Sequence, residues 1–350
     1  MKRLQEVLAL LLFLASSVSC ICTRQNHTKS TAAHDIEVGT LASQFKLDTS
    51  KAAKDLEYFT SAPHSFGSER QRHISQYLLN SMMELSLPSK VQEFSALTPN
   101  PNYAEGEMQE MLIKKDGYNV LTLALADPPV KNNDNKDCLV ILGSHYDTKI
   151  VAGIDYVGAN DSASSSILLI QLMRFFQQHR KKLSCSILGV WFDGEEAVLT
   201  NWDEGLYNHA AKVQDNTYGS RYLADKMQNC DDPGKLCLNI FDIIFKVENV
   251  IVIDMLGSEN LTLTRDSNST PVLLEKMLVA ADLYNVPVNK NSKAIEDDHI
   301  PFKLLGIPVL NIIDFNNLQF WHTHGDEAQN ISFDSLEKSG KIAAYCSIAK

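Results

Sequence analysis

The stretch SCSILGVWFDGEEA, residues 184–197, decides the architecture. A strand with one face in water alternates apolar and polar residues, whereas a strand covered on both faces of a parallel sheet is apolar almost throughout. Residues 185–192 follow the second pattern, and the run stops at Asp193-Gly194 with Glu195 and Glu196 side by side. Two like charges at the end of a buried strand raise a question of purpose. Most Glu-Glu pairs are solvated helix starts. The alternative is that the two carboxylates have different tasks.

The segments around this stretch have the same character. YNVLTLALA (118–126), CLVILGS (138–144), VENVIVIDML (247–256) and IPVLNII (307–313) are further apolar runs, and KVQEFSAL (90–97) is a more exposed strand. Helical periodicity separates them. Ile74, Tyr77, Leu78, Met82 and Leu85 line one side of 68–86, and helices are expected near 162–178, 217–228 and 271–285. This alternation predicts a single α/β domain with a mixed, mostly parallel central sheet and helices on both faces. It spans 41–350, without internal repeats.

In such sheets ligands collect beyond the carboxyl ends of the strands. Histidines and acids stand at or soon after those ends. The candidates are His145, Asp147, Asp161, Glu196, Asp254, His299 and His322. Imidazole and carboxylate with one open position make a catalytic type of zinc site. One of the paired glutamates would bind the metal while its neighbour moves a proton. Singly, each residue has a plainer reading: a helix cap, a loop hydrogen bond, a structural histidine. Their coincidence at several strand ends favours a metal.

Net charge is −11 and the pI about 5.4, which argues against nucleic acid and anionic membrane as partners. Lys2 and Arg3 precede the apolar run VLALLLFLA (7–15) and small residues up to Cys20. Residues 1–22 therefore read as a signal peptide of a secreted protein, with an uncleaved anchor as the rival, and 23–40 as a flexible segment. Sequons at Asn26, Asn260, Asn268 and Asn330 fit secretion, as does the cysteine content of seven. Cys230 and Cys237 are expected to form a small disulfide, and Cys138 and Cys185 could pair across neighbouring strands. The chain reads as a monomer without stable membrane association.

GSHYDTK (143–149), GANDSAS (158–164), FDGEEA (192–197), IDMLG (253–257), EDDHIPF (296–302) and WHTHGDE (321–327) occur in the order found in the zinc aminopeptidase clan. Within it the chain most resembles the glutaminyl cyclases, over residues 45–348. The resemblance implies one zinc ion per chain held by Asp161, Glu196 and His322. It implies Glu195 as the proton shuttle, Asp254 and Asp297 in a hydrogen-bonded carboxylate network with it, and Trp202 and Trp321 as walls of the substrate pocket. The substrates implied are peptides with N-terminal glutamine, glutamate being slower. A fifth sequon, Asn160-Asp161-Ser162, is then expected to stay unmodified because Asp161 is buried at the metal.

The main rival is a two-zinc aminopeptidase with His145, Asp161, Glu196, Asp254 and His322 all as ligands. A catalytically dead binding protein on the same scaffold is the third reading. Three features depart from the cyclase pattern. Ser144 and Ser166 replace a cysteine pair frequent in animal cyclases, 202–221 is longer, and Asn311 stands where some members have histidine.

Overall fold

The apolar run ahead of the paired glutamates forms the central strand β4 (Ser186–Phe192), and every residue in it is buried. The computed structural model describes residues 36–102, 111–129, 137–199, 213–230 and 235–349. Around β4 lie β1 (Ser89–Pro99), β2 (Leu112–Ala124), β3 (Asp137–His145), β5 (Gln228–Asn229), β6 (Leu236–Ile240), β7 (Ile243–Asp254) and β10 (Val309–Ile313). They form an eight-stranded sheet in the order β1-β2-β4-β3-β7-β6-β5, with β10 against β7. Strands β4, β3, β7 and β10 are mutually parallel, while β1, β2, β5 and β6 join antiparallel pairs. A separate pair, β8 (Leu263–Asp266) and β9 (Val288–Lys293), lies to the side.

Both faces of the parallel strands are covered. On one face Val140, Leu142, Ile187, Ile251 and Ile253 pack with the helices α1 (Thr49–Phe59), α2 (Glu69–Glu84), α3 (Ser165–Gln178), α5 (Pro271–Leu283) and α7 (Phe333–Ile348). On the other, Leu139, Ile141, Leu188, Val190 and Val252 meet Leu223 of α4 (Tyr218–Ala224) and Phe302 of α6 (Ile300–Leu304). Odd and even residues of one strand thus enter two different cores, each fully buried aliphatic side chain contributing about 1.5–3 kcal/mol. The chain is a single α/β domain with a mixed sheet, as the apolar runs predict.

Some boundaries differ from the sequence reading. The helix expected over 217–228 ends at Ala224, and Gln228–Asn229 pairs with β6 instead. The helix expected from 162 begins regularly at Ser165. Residues 159–164 form a wider turn in which Asp161 leaves helical geometry (φ −113°, ψ 87°). The segment expected to be flexible up to residue 40 is already helical over 36–42. Val38, Leu41, Ala42 and Phe45, spaced i, i+3, i+4 and i+7, bury an apolar stripe there.

Disulfides join Cys138 to Cys185 at the starts of β3 and β4, and Cys230 to Cys237, while Cys346 is a buried free thiol. The signal segment, residues 23–35 and the cysteines Cys20 and Cys22 lie outside the described residues. No helix among those described is long and apolar enough to cross a membrane.

Candidate metal centre

Because β3, β4, β7 and β10 run parallel, their carboxyl ends open on one edge. His145 closes β3, Asp254 closes β7, and Asp193-Gly194-Glu195-Glu196 follow β4. The turn before α3 adds Asp161, and the loop after β10 adds His322.

Asp161 is the shared member of two clusters. Its Oδ2 lies 3.3 Å from Nε2 of His322, which is also 3.1 Å from Oε1 of Glu196. Its Oδ1 lies 3.1 Å from Nε2 of His145, which in turn is 3.4 Å from Oδ1 of Asp254. In each cluster, Asp161–Glu196–His322 and His145–Asp161–Asp254, the ligand atoms lie within 4.8 Å of one another. All are buried except the half-buried His322.

This donor set fits zinc. Imidazole with carboxylates is the usual composition of a catalytic zinc site. Among the described residues, two buried carboxylate oxygens of the clusters, Glu196 Oε2 and Asp254 Oδ1, lack a hydrogen bond and have only longer charge contacts, to Lys149 Nζ (3.9 Å) and His145 Nε2 (3.4 Å). The electrostatics also call for positive charge. Burial alone would lower the His322 imidazole, but Glu196 and Asp161 push it up to about 10. Burial likewise opposes protonation of His145, yet Asp147, Asp161 and Asp254 hold it well above its usual range. Burial, with Asp161 and Asp297 nearby, pushes Asp254 up to about 7 against the pull of His145.

Glu195 is only 5% exposed, so water reaches it poorly. Burial, together with Asp297 and Glu196 and against the pull of His145, holds its carboxyl well above the ordinary glutamate range. The two adjacent glutamates therefore sit in different surroundings, with Glu196 facing His322 and Glu195 left as a proton-holding group.

Backbone clamps keep these irregular loops in place. Asp147 accepts the N–H groups of Glu195 (3.0 Å) and Glu196 (3.2 Å). Asp215 accepts those of Val198 (3.0 Å) and Leu199 (2.9 Å), and the buried Lys149 donates to the carbonyls of Ala197 and Leu199. Gly194 turns the chain at φ +71°, where a Cβ would come within 2.8 Å of the Phe66 ring. Met255 (φ 54°) and His322 (φ 53°) also occupy the left-handed region, although neither is glycine. Such strain, on the order of 1–3 kcal/mol each, collects where surroundings over-determine a functional loop.

Other expected residues fall as follows. Asp297 is 2% exposed and near enough to raise both Glu195 and Asp254. It accepts Asn311 Nδ2 (2.9 Å) and the backbone N–H of Asp298 (2.5 Å). Asp297 is coupled by charge to both Glu195 and Asp254, the grouping expected from the sequence. His299 stands apart from both clusters, 3.1 Å from Asp266 in a buried pair. Trp321 stacks on His322 at 4.1 Å and meets Phe315 edge-on. It also walls a cavity of about 430 Å³ together with Asn160 and Met255, the neighbours of Asp161 and Asp254. Trp202 lies outside the described residues.

Three serine hydroxyls converge on one backbone carbonyl beside the site. Hydroxyls of Ser144, Ser162 and Ser166 all donate to the His145 carbonyl, at 3.0, 2.6 and 2.7 Å. Asn160, in the fifth sequon, uses its Oδ1 to accept from Gly257 N (2.7 Å) and Ser164 Oγ (3.1 Å). Sequence reasoning misses Asp215, Tyr156 and Asp326, because clamps of this kind depend on contacts between distant segments.

The chain is similar to known proteins in sequence and fold. The profile described as peptidase family M28 matches residues 129–347. A glutaminyl-peptide cyclotransferase of Drosophila melanogaster is 25% identical over 305 residues, covering 80% of this chain and 75% of the fly protein. One from Dictyostelium discoideum is 26% identical over 308 residues, covering 78% and 81%. The crystal structure of an Acidobacteriales bacterium glutaminyl cyclase superposes with a TM-score of 0.64 at 26% identity, covering 85% of this chain and 93% of that one. With the family profile spanning more than half of its length and strand ends that converge on a zinc-type donor set, the chain belongs to peptidase family M28.

Proposed function

We propose that this protein is a zinc-dependent glutaminyl-peptide cyclotransferase, an acyltransferase that converts the N-terminal glutamine of peptides to pyroglutamate and releases ammonia. The observation that carries the chemistry is the convergence of Asp161, Glu196 and His322 beside the buried Glu195. The choice of reaction rests on the likeness to cyclotransferases over most of both chains.

In this reading Asp161, Glu196 and His322 hold one zinc ion per chain. When bound, zinc supplies Lewis-acid polarisation of the substrate's side-chain amide carbonyl. Glu195 takes a proton from the attacking α-amine and returns it to the departing ammonia, a task suited to a carboxyl that holds its proton tightly. Asp297 raises the proton affinity of both Glu195 and Asp254 and so couples the three carboxyls by charge. Trp321, fixed between Phe315 and His322, forms one wall against the substrate, and Trp202 is assigned to another. Nucleophile and electrophile belong to one residue of the substrate, so holding a near-attack conformer supplies much of the benefit. The signal-like N-terminus and two disulfides support a secreted enzyme.

A second reading, a two-zinc aminopeptidase, is favoured by the His145–Asp161–Asp254 cluster. The two are separated by incubating the zinc-loaded protein with a peptide beginning Gln-Phe and following it by mass spectrometry. Loss of ammonia from an otherwise intact peptide is the expected result. Release of free glutamine, with zinc titrating toward two per chain, would establish the aminopeptidase instead.

A further inference from the structure

The two ligands Asp161 and His322 come from loops 161 residues apart in sequence (322 minus 161), and one pair of side chains spans both loops. Asp326 is only 3% exposed. Its Oδ1 accepts the backbone N–H of Asn160 (2.6 Å), and its Oδ2 accepts the N–H of Asp161 (3.1 Å) and the Tyr156 hydroxyl (2.9 Å). Its own carbonyl accepts the N–H of Ala159 (3.1 Å). Tyr156 is 1% exposed, places its hydroxyl 3.4 Å from the Asp161 carbonyl, and sets its ring edge-on to His322 at 5.7 Å. Asp326 thus grips the backbone that presents one ligand from the loop that carries the other, and Tyr156 touches both.

We propose that Tyr156 and Asp326 are positioning residues that fix Asp161 relative to His322 and thereby set the affinity of the site for zinc. This rests on the assignment of Asp161, Glu196 and His322 as zinc ligands. Partners that orient metal ligands from behind typically govern affinity by about 10–100-fold when removed. Removing the Tyr156 hydroxyl leaves its ring against His322 but takes away one of the two donors to Asp326 Oδ2, so the Asp161 N–H alone holds that oxygen. Replacing Asp326 with asparagine puts an NH₂ group where one of its acceptor oxygens stood, so the amides of Asn160 and Asp161 cannot both keep their bonds.

The test is competition for zinc between the full chain and a fluorescent chelator, applied to the wild type, Tyr156→Phe and Asp326→Asn. The expected result is a dissociation constant raised about 10-fold in Tyr156→Phe and nearer 100-fold in Asp326→Asn. The zinc-free Tyr156→Phe protein should unfold in one cooperative transition like the wild type, so that the loss of zinc affinity is not a loss of fold. Wild-type zinc affinity in Tyr156→Phe and in folded Asp326→Asn would overturn the brace while leaving the ligand assignment intact. A wild-type chain that takes up no zinc would overturn the ligand assignment and the brace with it.

Discussion

Nε2 of His322 lies 3.1 Å from Oε1 of Glu196, joining residues 126 positions apart in sequence. A ring nitrogen and a carboxylate oxygen this close, with Asp161 as the third donor, form a donor set that fits a metal ion. Replacing His322 with alanine removes one of three proposed ligands and leaves two buried carboxylates facing each other. Zinc affinity should fall by more than about a hundredfold, beyond the loss typical of supporting residues. Metal content after gel filtration checks this, and stoichiometric zinc in His322→Ala would refute the ligand set.

Glu195 separates the acid–base role from metal binding. Glu195→Gln keeps the shape but cannot exchange the proton, so kcat should drop by about 10²–10⁴-fold. Zinc content should stay at the wild-type value, because Glu196 faces His322 and Glu195 does not. Activity within tenfold of the wild type would assign the proton transfer to another group.

Much of this site is legible in the amino-acid sequence, and the reason is topological. Parallel strands buried on both faces must be apolar until they leave the sheet, so a polar residue at the end of such a run marks the edge where ligands gather. His145, Glu195, Glu196 and Asp254 stand out on that ground. Asp161 and His322, lying on loops, are candidates by residue type, and their grouping with Glu196 as one ligand set comes only from the resemblance. The clamps are not legible. Asp147 stands out as a candidate ligand but falls in neither donor cluster and instead holds the Glu195 and Glu196 amides. Asp215 and Asp326 act on backbone amides brought near only by folding. Helices α1 and α7 also escape the periodicity reading, although Asp48 and Ser332 cap them through side-chain bonds to Lys51 N and Ser335 N. In α7 the buried face includes Ser339, Gly340, Ala343 and Ala344, small residues that blur a hydrophobic stripe.

Asp147 should be more important to stability than to substrate binding. It is fully buried and satisfies two consecutive backbone N–H groups. Alanine there orphans both donors, and each buried unsatisfied group costs about 1–3 kcal/mol. We expect Asp147→Ala to lose about 3 kcal/mol in urea unfolding of the zinc-free protein, which keeps metal loss out of the comparison. A change within about 0.5 kcal/mol, as for an ordinary surface substitution, would show that water replaces the clamp.

His64 predicts how the fold responds to acid. The residue is 1% exposed, its ring lies edge-on to Phe59, and its Nδ1 sits 3.1 Å from the Ala62 carbonyl. Its backbone N–H donates to Thr148 Oγ1 at 2.9 Å, which ties it to the segment beyond β3. Burial disfavours the imidazolium and lowers the group from 6.5 to about 4. The unfolded chain therefore binds this proton at a higher pH than the folded one. Stability is unaffected above about pH 6.5 and falls as the pH drops from there toward 4, by at most about 1.4 kcal/mol per pH unit from this group. His64→Gln removes the titration, so the decline between pH 6.5 and 4 should become shallower by about one proton, whatever the substitution does to stability at pH 7. Denaturant unfolding at several pH values measures that slope. If the two slopes coincide, His64 is protonated in the folded protein and the acid sensitivity lies elsewhere.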